Sequence, residues 1–168
     1  PEPDIPPFHP EKIAGDLTLP ELPQAKRIRF RDEYGFSYAD SEILSADLHW
    51  AAYTEQIMTE LNEWIHNFEV GKHDDHLSAQ LARLSGGWIT SKLMGAMAER
   101  KIDIQILKLK PENFAELIAL IYTNKVNSTN AQKLLIEMLD SGVDMDPTHI
   151  MEEKGYGQIS DEGKLSAV

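Results

Sequence analysis

The sequence predicts an all-α protein: a helical bundle domain preceded by a Pro-rich extended arm and followed by a small, truncated helical tail domain. Three observations lead there. Apolar residues recur at intervals of three and four along two long stretches, which is the spacing of a helix face. Cap residues before and glycines after divide the C-terminal part into short helices. Residues 1–23 hold most of the chain's nine prolines, a density that prevents regular helix. The expected division is a Pro-rich segment over 1–23, a helical bundle over 24–101, a connector over 102–110 and a tail unit over 111–168.

Each element has its own warrant. In the arm, Ile5, Phe8, Ile13, Leu17, Leu19 and Leu22 suggest a segment laid across something else. Pro23 precedes a helical stretch, Gln24 to Tyr34, that Gly35 can stop. A short helix follows from Ser37, and Ser45 or Asp47 can cap the next. That long helix carries Trp50, Tyr53, Ile57, Leu61, Trp64 and Phe68 on one stripe, and Gly71 can end it. A second long helix, from about His76 to Lys101, carries Leu77, Leu81, Leu84 and Trp88. Gly86 and Gly87 interrupt it, which calls for a kink or a close neighbour, and the two long stripes are expected to pack on each other. The three tryptophans sit on these stripes and are assigned to packing. Ile102, Ile104 and Ile106 alternate, as an extended connector would.

Three short helices come next. Pro111 opens the first, with Phe114, Leu117, Ile118 and Ile121 on its face. Ser128 or Thr129 opens the second, and Gly142 stops it. Asp146-Pro147 opens the third, and Gly155 stops it. Three helices of this size bury little, so the unit should need the helix that Ser160-Asp161-Glu162 begins, together with further chain beyond it. That unfinished start, and the opening on "PEPDIPP" without a methionine, lead us to expect a piece of a longer protein cut at both ends.

Composition narrows the chemistry. With 168 residues and 42% apolar content, the chain suits one ordinary domain or two small ones. It has no cysteine, so thiol catalysis and thiolate metal sites are excluded. A net charge of −12 argues against a broad, strongly binding RNA surface and leaves room for a local basic patch. No apolar run is long enough to span a membrane, which favours a cytoplasmic setting, or an organellar matrix in a eukaryote. Gly-rich nucleotide loops and a His-Glu-x-x-His motif are absent from the sequence.

In order along the chain stand "PEPDIPP", "LPELPQAKRIRF", "YGFSYADSEIL", "GGWITSKLMGAM", "PENFAELIALI" and "GYGQISDEGKL". Together they resemble the C-terminal (GatB/Yqey) region of the B subunit of the bacterial and organellar aspartyl/glutamyl-tRNA(Asn/Gln) amidotransferase. Members commonly have Asn where this chain has Gly87. The resemblance implies a part of a carbon–nitrogen ligase with glutamine as amido donor, converting Glu-tRNA(Gln) and Asp-tRNA(Asn) to Gln-tRNA(Gln) and Asn-tRNA(Asn). It implies an amidase A subunit, a small C subunit and tRNA as partners. ATP and magnesium would act in a cradle domain of the parent subunit that this chain lacks. The chain itself would be a non-catalytic module that holds the tRNA body, with no cofactor of its own.

The residues offer few sites beside that. His73-Asp74-Asp75-His76 has metal-ligand types in one loop, where a solvated turn explains it as well, and no metal is assigned. Glu2 and Asp4 are either a carboxylate pair or turn residues between prolines, and no catalytic residue is assigned. Cations offer the route to RNA. Lys26, Arg27, Arg29 and Arg31 cluster on one helix, and Arg100, Lys101, Lys108 and Lys110 flank the connector. The favoured candidates are Lys125, Asn127, Ser128 and Lys133, a turn leading into a helix N-terminus, a geometry that suits phosphate. The alternative is a non-enzymatic helical scaffold that binds protein partners through the Pro-rich arm.

Overall fold

The computed structural model describes residues 19–68 and 75–157. Most of the arm, with Glu2 and Asp4, lies outside them. So do Gly71, His73, Asp74 and the helix start at Ser160. Every named element among the described residues is helical, as the sequence predicts.

The first helix, α1 (Pro23–Asp32), has Pro23 in its first turn, where a missing N–H costs nothing. It buries Phe30 against Tyr34 and Phe36, with ring centroids 5.3 and 5.8 Å away. α2 (Tyr38–Ala46) starts at Ser37, whose hydroxyl accepts from the Asp40 amide. Of the two expected caps for α3 (Leu48–Phe68), Asp47 is the one used. Its carboxylate accepts from the His49 and Trp50 amides at 2.8 and 3.0 Å.

The next helix runs unbroken from Asp75 to Glu99 in three pieces. These are α4 (Asp75–Gly87), a π turn over Trp88–Leu93 and α5 (Met94–Glu99). The glycine pair sits where α4 gives way to the π turn. The two glycines differ in what surrounds them. A Cβ on Gly86 would stand 3.2 Å from Phe36 and 3.3 Å from the Asp40 carboxylate, so the start of α2 and the residue before its cap approach more closely than a side chain there meets without a shift. A Cβ on Gly87 would meet nothing within 4 Å. Thr90 ties the crossing together by donating to Asp40 Oδ1 at 2.9 Å.

Residues 102–110 depart from simple extension. A 3-10 turn over Ile104–Ile106 breaks the alternation, so Ile102 and Ile104 are half-buried while Ile106 is exposed. Leu109 is buried, and its carbonyl accepts from the Tyr53 hydroxyl of α3 at 3.1 Å. Then come α6 (Pro111–Tyr122), α7 (Ser128–Asp140) and α8 (Pro147–Lys154). Asp146 caps α8 through the Thr148 and His149 amides, and Gly155 ends it in the left-handed conformation at φ 68°.

The packing partner of α3 differs from expectation. Its most extensive neighbour is α6, and its contact with α4 is smaller. The reason is in the α6 sequence. Phe114, Ala115, Leu117, Ile118, Ala119 and Leu120 are all buried, so this helix is apolar around most of its circumference. Such a helix belongs at the centre, and α3, α4, α7 and α8 all pack on it. Buried residues form a core that runs without a break from Ile57 and Leu61 of α3 to Phe114 of α6 and Leu135 of α7. Trp88 is buried, while Trp50 and Trp64 are half-buried at the core's edge.

Candidate functional site

The turn between α6 and α7 is built by local chemistry. α6 ends in two crossed bonds: the Asn124 amide donates to the Ile121 carbonyl at 3.1 Å and the Lys125 amide to the Leu120 carbonyl at 3.0 Å. This is a Schellman closure, and its left-handed position falls on Asn124 at φ 57°. Asparagine tolerates that region better than most side chains. Val126 then turns inward, buried, and pairs with Gly157 in an isolated antiparallel bridge.

α7 opens at Ser128, one of the two expected starters, and its cap is the residue before it. Asn127 is the N-cap, and its side chain accepts from the Asn130 amide at 2.7 Å. Ser128 and Thr129 are therefore the exposed first turn of the helix rather than its cap. One of the unpaired amides at this end is spent on Asn127, and the positive pole of the helix faces outward beside Lys125.

The structure brings the turn together with the segment after α8. Asn130 donates through Nδ2 to the Tyr156 carbonyl at 3.0 Å. The Tyr156 hydroxyl donates to Glu137 at 2.9 Å, which pushes its phenol pKa up. Lys133 Nζ lies 5.8 Å from the centroid of the Tyr156 ring. Lys154 reaches the other Glu137 oxygen at 3.8 Å. Tyr156 thus fixes one flank of α7, including Lys133. Sequence reasoning did not single out Tyr156 or Asn130. Their one visible signal is a large aromatic between two glycines after a helix stop.

The cations differ in how they are engaged. Arg29 is held by Glu21, Glu55 and Tyr34, and Lys26 lies 3.9 and 3.6 Å from the same two carboxylates. Hydrogen bonding to Glu21 raises the Arg29 pKa and lowers that of Glu21. Arg100 pairs with Asp140 and Lys110 with Asp144. Lys125 and Lys133 are exposed and have no carboxylate partner among the described residues; Lys101 and Lys108 share that state. No group of three acidic or histidine side chains is placed to hold a metal ion among the described residues, and no helix there is long and apolar enough to cross a membrane.

Known proteins similar to this chain agree among themselves. A family model described as the GatB domain matches residues 75–168, beginning at α4. The B subunit of the aspartyl/glutamyl-tRNA(Asn/Gln) amidotransferase of Prochlorococcus marinus (strain AS9601) is 29% identical over 171 aligned residues, spanning 100% of this chain and 31% of the relative. Proteins of the same name are 31% identical in Synechocystis sp. and 32% identical in Orientia tsutsugamushi (strain Ikeda), each matching 100% of this chain. The chain spans about a third of the length of these relatives, 30% to 31%. Over half of its residues match the family model, and relatives of one name align along all of it: the chain belongs to the GatB domain family.

Proposed function

We propose that this chain is the tRNA-holding part of the B subunit of an ATP-dependent, glutamine-using amidotransferase. That enzyme makes Gln-tRNA(Gln) and Asn-tRNA(Asn) from their mischarged precursors, with A and C subunits alongside. The role is one of orientation: a held tRNA body keeps the acceptor end over a distant reacting centre. The observation that carries the reading is the α6–α7 turn. Two exposed lysines without carboxylate partners among the described residues, Lys125 just before α7 and Lys133 in its second turn, lie on either side of the exposed helix start, in a chain whose relatives are named for acting on tRNA. Lysine ammonium groups and exposed amides together suit phosphate oxygens and carry little sequence information. No activation step is assigned to the described residues. ATP and magnesium would act elsewhere in the parent subunit, and this chain alone would be non-catalytic.

The test is Lys125→Glu with Lys133→Glu in the reconstituted complex. The apparent KM for tRNA should rise by about tenfold, since two phosphate contacts are lost and two repulsions added. Glutamine hydrolysis measured without tRNA should stay at the parent level. An unchanged KM for tRNA would make the turn ordinary surface.

A further inference from the structure

We propose that the cleft between α1 and α2 is a second anion site, shaped to take a phosphodiester group of an RNA backbone. The proposal rests on the RNA-holding reading and extends it to a surface separate from the α6–α7 turn. Arg27, Ile28 and Arg31 of α1 and Tyr38 and Ser41 of α2 line a cleft of about 210 Å³. Arg27 and Arg31 are four residues apart, so their side chains stand on the same face of α1.

The two arginines have donors to spare. A guanidinium carries five N–H donors in a fixed fork. Arg27 approaches Glu42 only to 3.8 Å, beyond hydrogen-bond reach. Arg31 commits Nε alone, to the neighbouring Asp32 at 3.0 Å. Arg29, between them, is the opposite case: both of its terminal nitrogens and Nε are engaged, and it does not line the cleft. α1 therefore divides its arginines between an internal clamp and an open pair.

The surroundings favour a phosphodiester. Two forks four residues apart can each take one of its two free oxygens. The Arg27 guanidinium carbon lies 5.9 Å from the centroid of the Tyr38 ring, which steadies it beside the opening. Tyr38 and Ile28 are 60% and 43% exposed and give an apolar rim for a ribose or base. Ser41 spends its hydroxyl proton on the Ser37 carbonyl at 2.8 Å, so it offers an anion no donor and the two guanidinium groups must supply the bonds. The flanking carboxylates, Asp32 and Glu42, oppose an anion, but their side chains are 57% and 58% exposed, so solvent and salt screen them.

The experiment uses the full chain, labelled so that arginine Nε–H signals are seen by NMR. The probes are inorganic phosphate, a single-stranded oligouridylate and a polyglutamate peptide. The Arg27 and Arg31 signals should move saturably with phosphate and with oligouridylate. Replacing both arginines (R27Q with R31Q) should weaken oligouridylate binding by about tenfold at low salt and flatten its salt dependence by about two phosphates' worth. Arg31→Lys should recover only part of the loss, because lysine is a point charge without a fork. Lys125→Glu with Lys133→Glu should leave the phosphate response of the arginine signals in place. If the arginine variant binds oligouridylate as tightly as the parent, or if polyglutamate moves these signals and phosphate does not, the cleft is not this site. Loss of RNA binding in the lysine variant alone overturns the cleft and spares the turn. Loss in the arginine variant alone does the reverse.

Discussion

Asn127 allows folding and ligand holding to be separated at one residue. Its side chain caps α7, so Asn127→Ala should cost about 1 kcal/mol, read as a lowered thermal midpoint. Asn127→Asp keeps an accepting oxygen and adds a negative charge at the positive pole of the helix, so stability should hold or rise slightly. The same charge stands beside Ser128 and Thr129, where a phosphate would sit. Affinity for tRNA should therefore fall several-fold in a fully folded variant, as a binding titration would report. Equal tRNA affinity in Asn127→Asp and the parent would remove the helix terminus from the site. The sequence made this turn legible to within a residue. Asn127, Ser128 and Thr129 are all good caps in a row, and what selects among them is the left-handed turn at Asn124. Tyr156 was not legible, because its partners at Asn130 and Glu137 are joined to it through tertiary packing rather than local spacing.

Among the elements, the glycine pair offers a contrast with opposite signs. Gly86→Ala should destabilise by about 1–3 kcal/mol, since its Cβ would press on the Phe36 ring and on an Asp40 held by Thr90. Gly87→Ala meets open space in helical backbone and should stabilise by up to about 1 kcal/mol. Denaturant unfolding of the two variants measures both, and equal shifts would mean that α2 does not set the need for glycine. The sequence showed that something happens at 86–87 but not which of the two residues carries it. The connector shows another limit of periodicity. An isoleucine at every second position reads as extended, yet three residues of 3-10 turn rotate Ile106 to solvent while Leu109 is anchored under Tyr53. Tyr53→Phe removes the hydroxyl donor to the Leu109 carbonyl and should cost about 1–2 kcal/mol, seen as faster amide exchange around residue 109.

For the molecule as a whole, α6 is the deciding element. Leu117 is fully buried at its centre, and Leu117→Ala should cost about 2–5 kcal/mol. Because α3 and α7 both pack on α6, Trp64 fluorescence and α7 amide exchange should report the same loss. The stripe of α3 was plain in the sequence. Its partner was not, because α6 is apolar on most sides and a periodic pattern cannot say which side meets which neighbour. Acid should weaken the assembly too. Hydrogen bonds from arginine hold the pKa values of Glu21 and Asp140 low, and bonds from Asn113 and Lys110 outweigh burial to do the same for Asp144. Lowered folded values mean that the unfolded chain binds protons first. This stabilisation is complete above the ordinary carboxylate range and disappears as pH falls through the folded values, so the thermal midpoint should drop below about pH 4.

The π turn over Trp88–Leu93 closes with the Met94 amide bonded to the Ile89 carbonyl, five residues back. It holds one amino acid more than an α-helix of the same span. Chain length and helix direction are therefore uncoupled at this point. Removing one residue inside the turn would let ordinary helix close over the gap, with Arg100 still facing Asp140. The same deletion within α4 would rotate everything after it by about 100° around the axis. The helix from Asp75 to Glu99 thus contains one place where a codon can be lost while the chain still leaves toward the connector in the same direction.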